Sequence, residues 1–303
     1  MLLGKTGPAY ALRRVQKDFV NEKLQELLLQ TTKNVLFSVG ENQFEQVALL
    51  PSLAFQQPDD QRPVFTYVFL CCNITGVKTL ELLGQAVSGD GTVMKLIRRS
   101  DEYIILANGK SLISSRMHGS EEALATFACR RARTLKQPSV LVGGLGMGFT
   151  LRATLDVLPP DAKVVVVELV PEVAEWNRGP LGPLAGDPLK DTRVEVEIGD
   201  VAVTLSSRPG QFNAVLLDVD NGPAAFSSSS NNAGLYDDRG IAVAFAALKL
   251  DGMLAVWSAR EDRKFEQRLR HGRFDVEVQN VRGRLKHGGP RHTIFLGHKS
   301  SKR

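Results

Sequence analysis

Short apolar runs alternate with helical segments over the C-terminal half of the chain. Five runs of β-branched or aliphatic residues have the length and composition of buried strands: residues 140–142, 164–167, 194–198, 214–217 and 253–257. Four segments between them have the composition of helices: residues 149–158, 173–178, 201–206 and 241–248. Strands that are separated by helices predict an α/β domain, in which a mostly parallel sheet has helices on both faces.

The end of the chain predicts a different connection, because two apolar runs follow each other without a helix between them. Residues 274–281 and 293–296 are separated by a segment rich in Gly and Arg. Two neighbouring strands that are joined by a loop pair antiparallel. We therefore expect the sheet to include an antiparallel C-terminal strand.

The N-terminal third lacks this alternation. Residues 11–33 carry apolar side chains spaced by three to five positions, which predicts an amphipathic helix. Further along, Asn108-Gly109 separates two runs of strand composition and predicts a hairpin turn, because both residues tolerate positive φ. Three regions follow: an N-terminal segment of unassigned fold with the amphipathic helix over 1–90, a small β-hairpin unit over 91–116, and the α/β domain over 117–303.

Composition narrows the class of protein. The chain has 303 residues, of which 43% are hydrophobic and 23% charged, as is typical of a globular protein with a full core. Fibrous and globally disordered classes are thereby excluded. No apolar run approaches the ~20 residues that cross a bilayer, the first residues lack a secretory signal, and three cysteines do not form a disulfide framework. We expect a cytoplasmic protein with reduced thiols and no membrane partner.

The net charge of +5 comes from the end of the chain. Residues 260–303 hold thirteen Lys and Arg against five Asp and Glu. Four of the five histidines lie there too, without the spacing of metal ligands. This pattern favours a solvated basic surface over a nucleic-acid partner, and no metal is expected.

The first strand of the α/β domain runs into Gly143-Gly144-Leu145-Gly146-Met147-Gly148. Glycines at such a turn allow a ligand to approach the backbone and the N-terminus of the next helix. Glu168 ends the second strand, twenty residues after Gly148, where a carboxylate can accept hydrogen bonds from ribose hydroxyls. Together they predict a nucleoside site formed by Gly144, Gly146, Met147, Gly148 and Glu168. The alternatives are a tight packing turn and an acid that caps the helix after it.

Carboxylates follow the next two strands as well. Asp200 precedes Val201 at the third strand end, where Asp200 can bond an adenine amino group or cap the helix. Asp218 and Asp220 follow the fourth strand. Asp218 can take a proton from a substrate amine, and Asp220 can anchor a second cationic group. The alternative is an acidic turn before Asn-Gly-Pro.

From about residue 95 onward the chain resembles the spermidine synthases, the aminopropyltransferase branch of the fold shared with S-adenosylmethionine-dependent methyltransferases. The resemblance rests on VLVGGLGMGFTLRA at 140–153, on Glu168, on GDV at 199–201 and on LLDVDNGP at 216–223. It implies a Rossmann-like, seven-stranded catalytic domain and the transfer of an aminopropyl group from decarboxylated S-adenosylmethionine to an amine, as in polyamine biosynthesis. It also implies that Glu168 holds the ribose, Asp200 the adenine, and that Asp218 activates the amine.

The chain departs from that family at three places. Met147 aligns with an aspartate that grips the donor's aminopropyl ammonium. The family's Tyr-His-Glu triplet corresponds to a segment that keeps His118, followed by Glu121, but has no tyrosine before the histidine. The family's Asp-x-x-Asp loop is shortened to Asp218-Val219-Asp220.

Three functions therefore remain open. An aminopropyltransferase would bind a small amine with the help of His118, Glu121 and Tyr236, the last lying beyond a serine-rich loop. A methyltransferase that uses S-adenosylmethionine is favoured by Met147. A non-catalytic relative would use the fold as a binding module or oligomer scaffold. We expect a homodimer in each case.

Overall fold

The computed structural model describes residues 49–51, 67–69, 80–219, 222–223, 233–284 and 288–300. The chain divides into two compact units, residues 1–77 and 78–303. Within the first, strand β1 (Leu49–Pro51) pairs antiparallel with β2 (Tyr67–Phe69). The amphipathic helix expected over 11–33 lies outside the described residues.

The second unit begins with a four-stranded antiparallel sheet whose strands pair in chain order. Its strands are β3 (Leu80–Val87), β4 (Val93–Arg99), β5 (Glu102–Ala107) and β6 (Lys110–Ser114). Asn108 and Gly109 have φ values of 48° and 77°, so the predicted turn joins β5 to β6. Sequence analysis does not predict β3, because this strand has a bulge and mostly exposed side chains and therefore lacks a clean alternation.

A seven-stranded sheet follows, and it confirms the predicted fold class. Its strands are β7 (Ser139–Gly143), β8 (Lys163–Glu168), β9 (Val194–Ile198), β10 (Phe212–Leu217), β11 (Leu248–Ser258), β12 (Asp275–Arg282) and β13 (Arg291–His298). Their spatial order is β12-β13-β11-β10-β7-β8-β9. All neighbours pair parallel except β13, which is antiparallel to β11 and β12, as expected for the C-terminal pair.

Helices cover both faces of this sheet. They are α1 (Gly119–Ala128), α2 (Phe149–Val157), α3 (Pro171–Arg178), α4 (Val201–Ser207), α5 (Ala233–Tyr236), α6 (Asp238–Ala247) and α7 (Arg263–His271). Alternate residues of β7 point to opposite cores, since Val140 and Val142 belong to one apolar cluster and Leu141 to the other. Helices α1 to α3 pack on the first face, and α4, α6 and α7 pack on the second.

The strand order reverses between β7 and β10. From β7 the chain moves outward through β8 and β9 and then returns to form β10 on the other side of β7. In such sheets the loops after the two strands at the reversal diverge and leave a crevice at their carboxyl ends. Among the described residues, no helix is long and apolar enough to cross a membrane.

Candidate active site

The glycine loop after β7 lies between the ends of two neighbouring strands. The Gly144 N–H donates to the carbonyl of Val167 at 2.9 Å, and the Asp218 N–H donates to the carbonyl of Gly143 at 2.8 Å. Gly144 has a φ of 89°, and a Cβ there would lie 2.3 Å from the carbonyl oxygen of Asp218. Only glycine therefore fits between β8 and β10 at this point.

The same loop leads directly into helix α2. Gly146 and Gly148 also have positive φ values, 52° and 83°. The side-chain amide of Asn177, which lies on α3, donates to the carbonyl of Gly146 at 2.8 Å. Asn177 thus anchors the glycine loop to α3, a role that the sequence around Asn177 does not indicate. The side chain of Met147 is buried in the apolar cluster, so the described loop presents backbone and no charged group.

Glu168 ends β8 beside this loop and is only 8% exposed. Its carboxylate accepts hydrogen bonds from the backbone N–H groups of Leu145 at 2.9 Å and Val170 at 3.0 Å. Burial raises the pKa of Glu168, while these N–H donors oppose the shift. The backbone N–H groups of Gly146 and Leu169 add to this effect, so four main-chain N–H groups act on the carboxylate.

Two exposed apolar side chains flank the space next to Glu168. Leu169 is 51% exposed, and Ile198, which pairs with Glu168 across β8 and β9, is 49% exposed. Neither residue is predicted from the sequence, because an apolar residue at the end of a strand does not indicate by itself whether its side chain is exposed. Asp200 is exposed and caps α4 by accepting from the Ala202 N–H at 2.7 Å. Val201 is buried, and a Cβ on Gly143 would lie 2.8 Å from its Cγ2.

A second group of acids lies on the other side of the glycine loop. The hydroxyl of Thr150, in the first turn of α2, donates to Asp218 Oδ2 at 2.5 Å. Glu121 lies in the first turn of α1, where the hydroxyl of Ser120 donates to its Oε2 at 2.7 Å. Neither acid forms an ion pair with any Lys, Arg or His in the described parts of the chain.

The two acids interact electrostatically. Burial raises the pKa of Asp218 to about 6. Burial, and then repulsion by the Asp218 charge, raises the pKa of Glu121 to about 7. Both values lie above the ordinary 3.8 and 4.5, so near neutral pH the pair retains a proton. Sequence analysis predicts both acids, but it does not show that they come from distant elements to face each other.

Two other predicted residues, His118 and Tyr236, are each held by contacts within the described chain. His118, the N-cap residue of α1, bonds Glu122 at 2.6 Å through Nδ1 and stacks on Phe149 with 4.4 Å between ring centroids. Tyr236 is buried, and its hydroxyl donates to the carbonyl of Val219 at 3.3 Å. Tyr236 thus contacts the turn that follows Asp218. Asp220 lies outside the described residues, and the substrate-binding roles of His118 and Tyr236 stay predictions.

Comparison with known proteins rests on structure alone. No family model matches the chain, and no curated protein matches it. A spermidine synthase from Thermotoga maritima superposes with a TM-score of 0.57 and 18% identity, covering 78% of this chain and 76% of its own. A spermidine synthase in complex with the transition state analogue AdoDATO gives 0.56 and 16%, with the same two coverages.

A third solved structure agrees with these two. A probable spermidine synthase from Corynebacterium glutamicum gives a TM-score of 0.52 at 16% identity and covers 72% of this chain and 80% of its own. Identities this low carry information about the fold and not about the reaction. The chain has the fold of the spermidine synthases.

Proposed function

We propose that this chain transfers an aminopropyl group from decarboxylated S-adenosylmethionine to a small amine. The observation that carries the proposal is the pair Glu121 and Asp218, two partly buried carboxylates that interact electrostatically and have no cationic partner in the described chain. Buried charges are costly unless they are paired. A substrate ammonium group would supply the missing partner, and the glycine loop contacts both Asp218 and Glu168, the residue that would hold the nucleoside.

The nucleoside would occupy the crevice beside β8. Glu168 ends β8 where the carboxylate would accept from the ribose hydroxyls, and Asp200 is exposed where an adenine amino group would lie. Leu169 and Ile198 offer apolar surface to the base, which explains why two large apolar side chains remain half exposed. The donor would thereby be held with its sulfonium towards the acid pair.

The acid pair would then bind and activate the acceptor. Asp218 or Glu121 takes a proton from the ammonium, and the freed nitrogen lone pair forms the new C–N bond. The C–S bond breaks, its electrons stay on sulfur, and the sulfonium becomes the neutral thioether. Such a displacement gains chiefly from holding the nucleophile and donor in line. His118, Tyr236 and Asp220 would complete the acceptor site.

Methyl transfer from S-adenosylmethionine is the second candidate, and Met147 favours it. In the resemblance to the spermidine synthases this position carries the aspartate that grips the donor's aminopropyl ammonium. Here the side chain is apolar and buried, so the loop supplies no charge to that group. Loss of one desolvated ion pair costs about 2–5 kcal/mol, which is enough to change the preferred donor.

Calorimetry with three ligands separates the candidates. At least tenfold tighter binding of decarboxylated S-adenosylmethionine than of S-adenosylmethionine, a difference of about 1.4 kcal/mol, supports aminopropyl transfer. Equal or reversed preference supports methyl transfer. If neither donor nor methylthioadenosine binds, the chain is a non-catalytic relative. Release of methylthioadenosine in the presence of a diamine then confirms turnover, and the homodimer and the cytoplasmic location stay separate predictions.

A further inference from the structure

A buried serine connects the acid pair to a histidine at the far end of the chain. The hydroxyl of Ser120 lies 2.7 Å from Glu121 Oε2 and 2.8 Å from His292 Nδ1, and the residue has no exposed surface. The three groups therefore form one continuous line of hydrogen bonds. It runs from Glu121, which interacts electrostatically with Asp218, to the half-buried imidazole of His292.

His292 is held in this place by the sheet. It belongs to β13, which runs antiparallel to β11, so its N-terminal end lies at the edge where the parallel strands end. Its ring meets that of Trp257, on β11, edge to face with 4.7 Å between centroids. The Nε2 atom has no hydrogen-bond partner within the described ranges, so only Nδ1 is fixed, and it is fixed on Ser120.

The reaction proposed above leaves one proton to remove. An ammonium and a sulfonium become an alkylated ammonium and a thioether, and one proton is released for each new C–N bond. A carboxylate that accepts this proton must lose it again before the next turnover. Both carboxyls are partly buried, and burial raises the pKa of each, so they hold this proton more strongly than an exposed acid does.

We propose that Ser120 and His292 relay this proton from Glu121 to solvent. Protonated Glu121 donates to Ser120 Oγ while Ser120 passes its own proton to Nδ1 of His292, which must then be the tautomer with the hydrogen on Nε2. The imidazolium formed in this way releases the Nε2 proton to water, which leaves its remaining hydrogen on Nδ1. Before the next turnover the imidazole turns and exchanges that hydrogen through solvent, so that the hydrogen again lies on Nε2 and Nδ1 can accept from Ser120. The inference rests on the proposed function, because it assumes that an amine is deprotonated by the acid pair.

Two observations support a relay over a purely structural link. Helix α1 is already tied to the end of β12 by the Gly119 N–H, which donates to the carbonyl of Gly283 at 3.0 Å. The contact through Ser120 is therefore not the only hydrogen bond that anchors the start of the helix. Moreover, burial lowers the pKa of His292, so its imidazolium gives up a proton readily near neutral pH.

The first test is turnover of the full chain with decarboxylated donor and diamine. His292→Asn keeps an amide where Nδ1 lies but cannot carry a proton, and Ser120→Ala interrupts the line. We expect each to lower kcat about 10²-fold, with nucleoside Kd unchanged. Ser120→Thr, which keeps the hydroxyl, should restore activity. His271→Asn makes the same change on the exposed face of α7 and should have no effect.

Rescue of kcat by an external base distinguishes a proton relay from a structural role of Ser120 and His292. In His292→Asn and Ser120→Ala, imidazole in the buffer should restore part of kcat if a proton relay has been lost. Imidazole should not restore kcat if the loss comes from altered packing. The ionisable groups in the line and beside it are Asp218 from the end of β10, Glu122 from the start of α1, which His118 bonds, and His292 itself. If kcat of His292→Asn and Ser120→Ala stays within about twofold of the unaltered chain, the relay is refuted. Losses that imidazole does not reverse refute it as well.

A second readout does not depend on turnover. NMR of the imidazole nitrogens of His292 should show an inflection near the pKa of the acid pair that is absent in Glu121→Gln, because the charge of the pair then no longer changes two hydrogen bonds away from the ring. An unchanged His292 titration would refute the relay, whatever reaction the chain performs. Absence of turnover in the unaltered chain, with the coupling present, would instead refute the proposed function and leave the connected line established.

Discussion

The two edges of the seven-stranded sheet differ in whether certain of their charged side chains form ion pairs. At the amino edge, charged side chains are paired: Arg193 bonds Asp191 at 2.7 Å, and Arg130 bonds Glu277 at 2.9 Å. At the carboxyl edge, Glu121, Glu168 and Asp218 are bonded by N–H and O–H donors but form no ion pair within the described chain.

The difference shows up in how each carboxyl titrates. The Arg193 guanidinium lowers the pKa of Asp191 to about 2, whereas burial raises the pKa of each acid at the carboxyl edge. A paired acid contributes to stability, while an acid that is buried without a cation lowers it and is kept where a ligand supplies the partner. Because both edges belong to one sheet, they provide matched controls for each other.

The largest expected effect is the loss of turnover in Asp218→Asn. The amide cannot accept a proton from the amine, so we expect the rate of methylthioadenosine release to fall about 10²- to 10⁴-fold. Nucleoside affinity should change by only a few-fold, because the glycine loop separates Asp218 from Glu168. Asp275→Asn makes the same change at the start of β12, on the amino edge, and should keep full activity. Near-normal turnover of Asp218→Asn would show that Asp218 is not the base.

The next effect is on nucleoside binding. Glu168→Gln removes the charge that would accept the ribose hydroxyls, and hydrogen bonds to a charged group contribute about 1.5–3 kcal/mol. We therefore expect Kd for methylthioadenosine to rise about 10- to 100-fold in calorimetry. Glu277→Gln is the matched change on the amino edge and should leave Kd unaltered. An unchanged Kd in Glu168→Gln would place the nucleoside elsewhere.

The pH dependence of stability should separate the edges further. An acid with a raised pKa stabilises the folded chain only while protonated, so the contribution of Glu121 and Asp218 is lost as pH rises from about 4 to 7. Asp191 has a lowered pKa, so its contribution to the free energy of unfolding has the opposite pH dependence. That contribution is present above pH 3.8 and is lost as the pH falls to about 2. Melting temperatures between pH 4 and 7 should therefore fall less in the double variant Glu121→Gln/Asp218→Asn than in the unaltered chain. Parallel curves for the two proteins would contradict the assignment.

The smallest effect is expected for the exposed pair of the amino edge. Arg130 and Glu277 keep 43% and 42% of their side chains exposed, and such surface pairs contribute about 0–1 kcal/mol. Glu277→Gln should thus shift the urea midpoint hardly at all and leave turnover intact. A larger loss in either measurement would show that the amino edge takes part in function.

Much of the fold could be predicted because it depends on local patterns. Runs such as 164–167 are apolar at every position, as strands buried on both faces must be, and Asn108-Gly109 specifies its turn through backbone conformation alone. Strand β3 was missed because the tertiary environment leaves most of its side chains in solvent. Its pairing with β4 is thus not visible in its own residues.

For the site, the sequence by itself determined which residue types end each strand: the glycines after β7, Glu168 after β8 and Asp218 after β10. These follow from chain order, since the carboxyl ends of parallel strands meet at one edge. Only the tertiary structure decided that Glu121 faces Asp218 and that Ser120 joins it to His292, 172 positions away. Such contacts depend on strand order and helix packing, which bring distant segments together, and no local spacing encodes them.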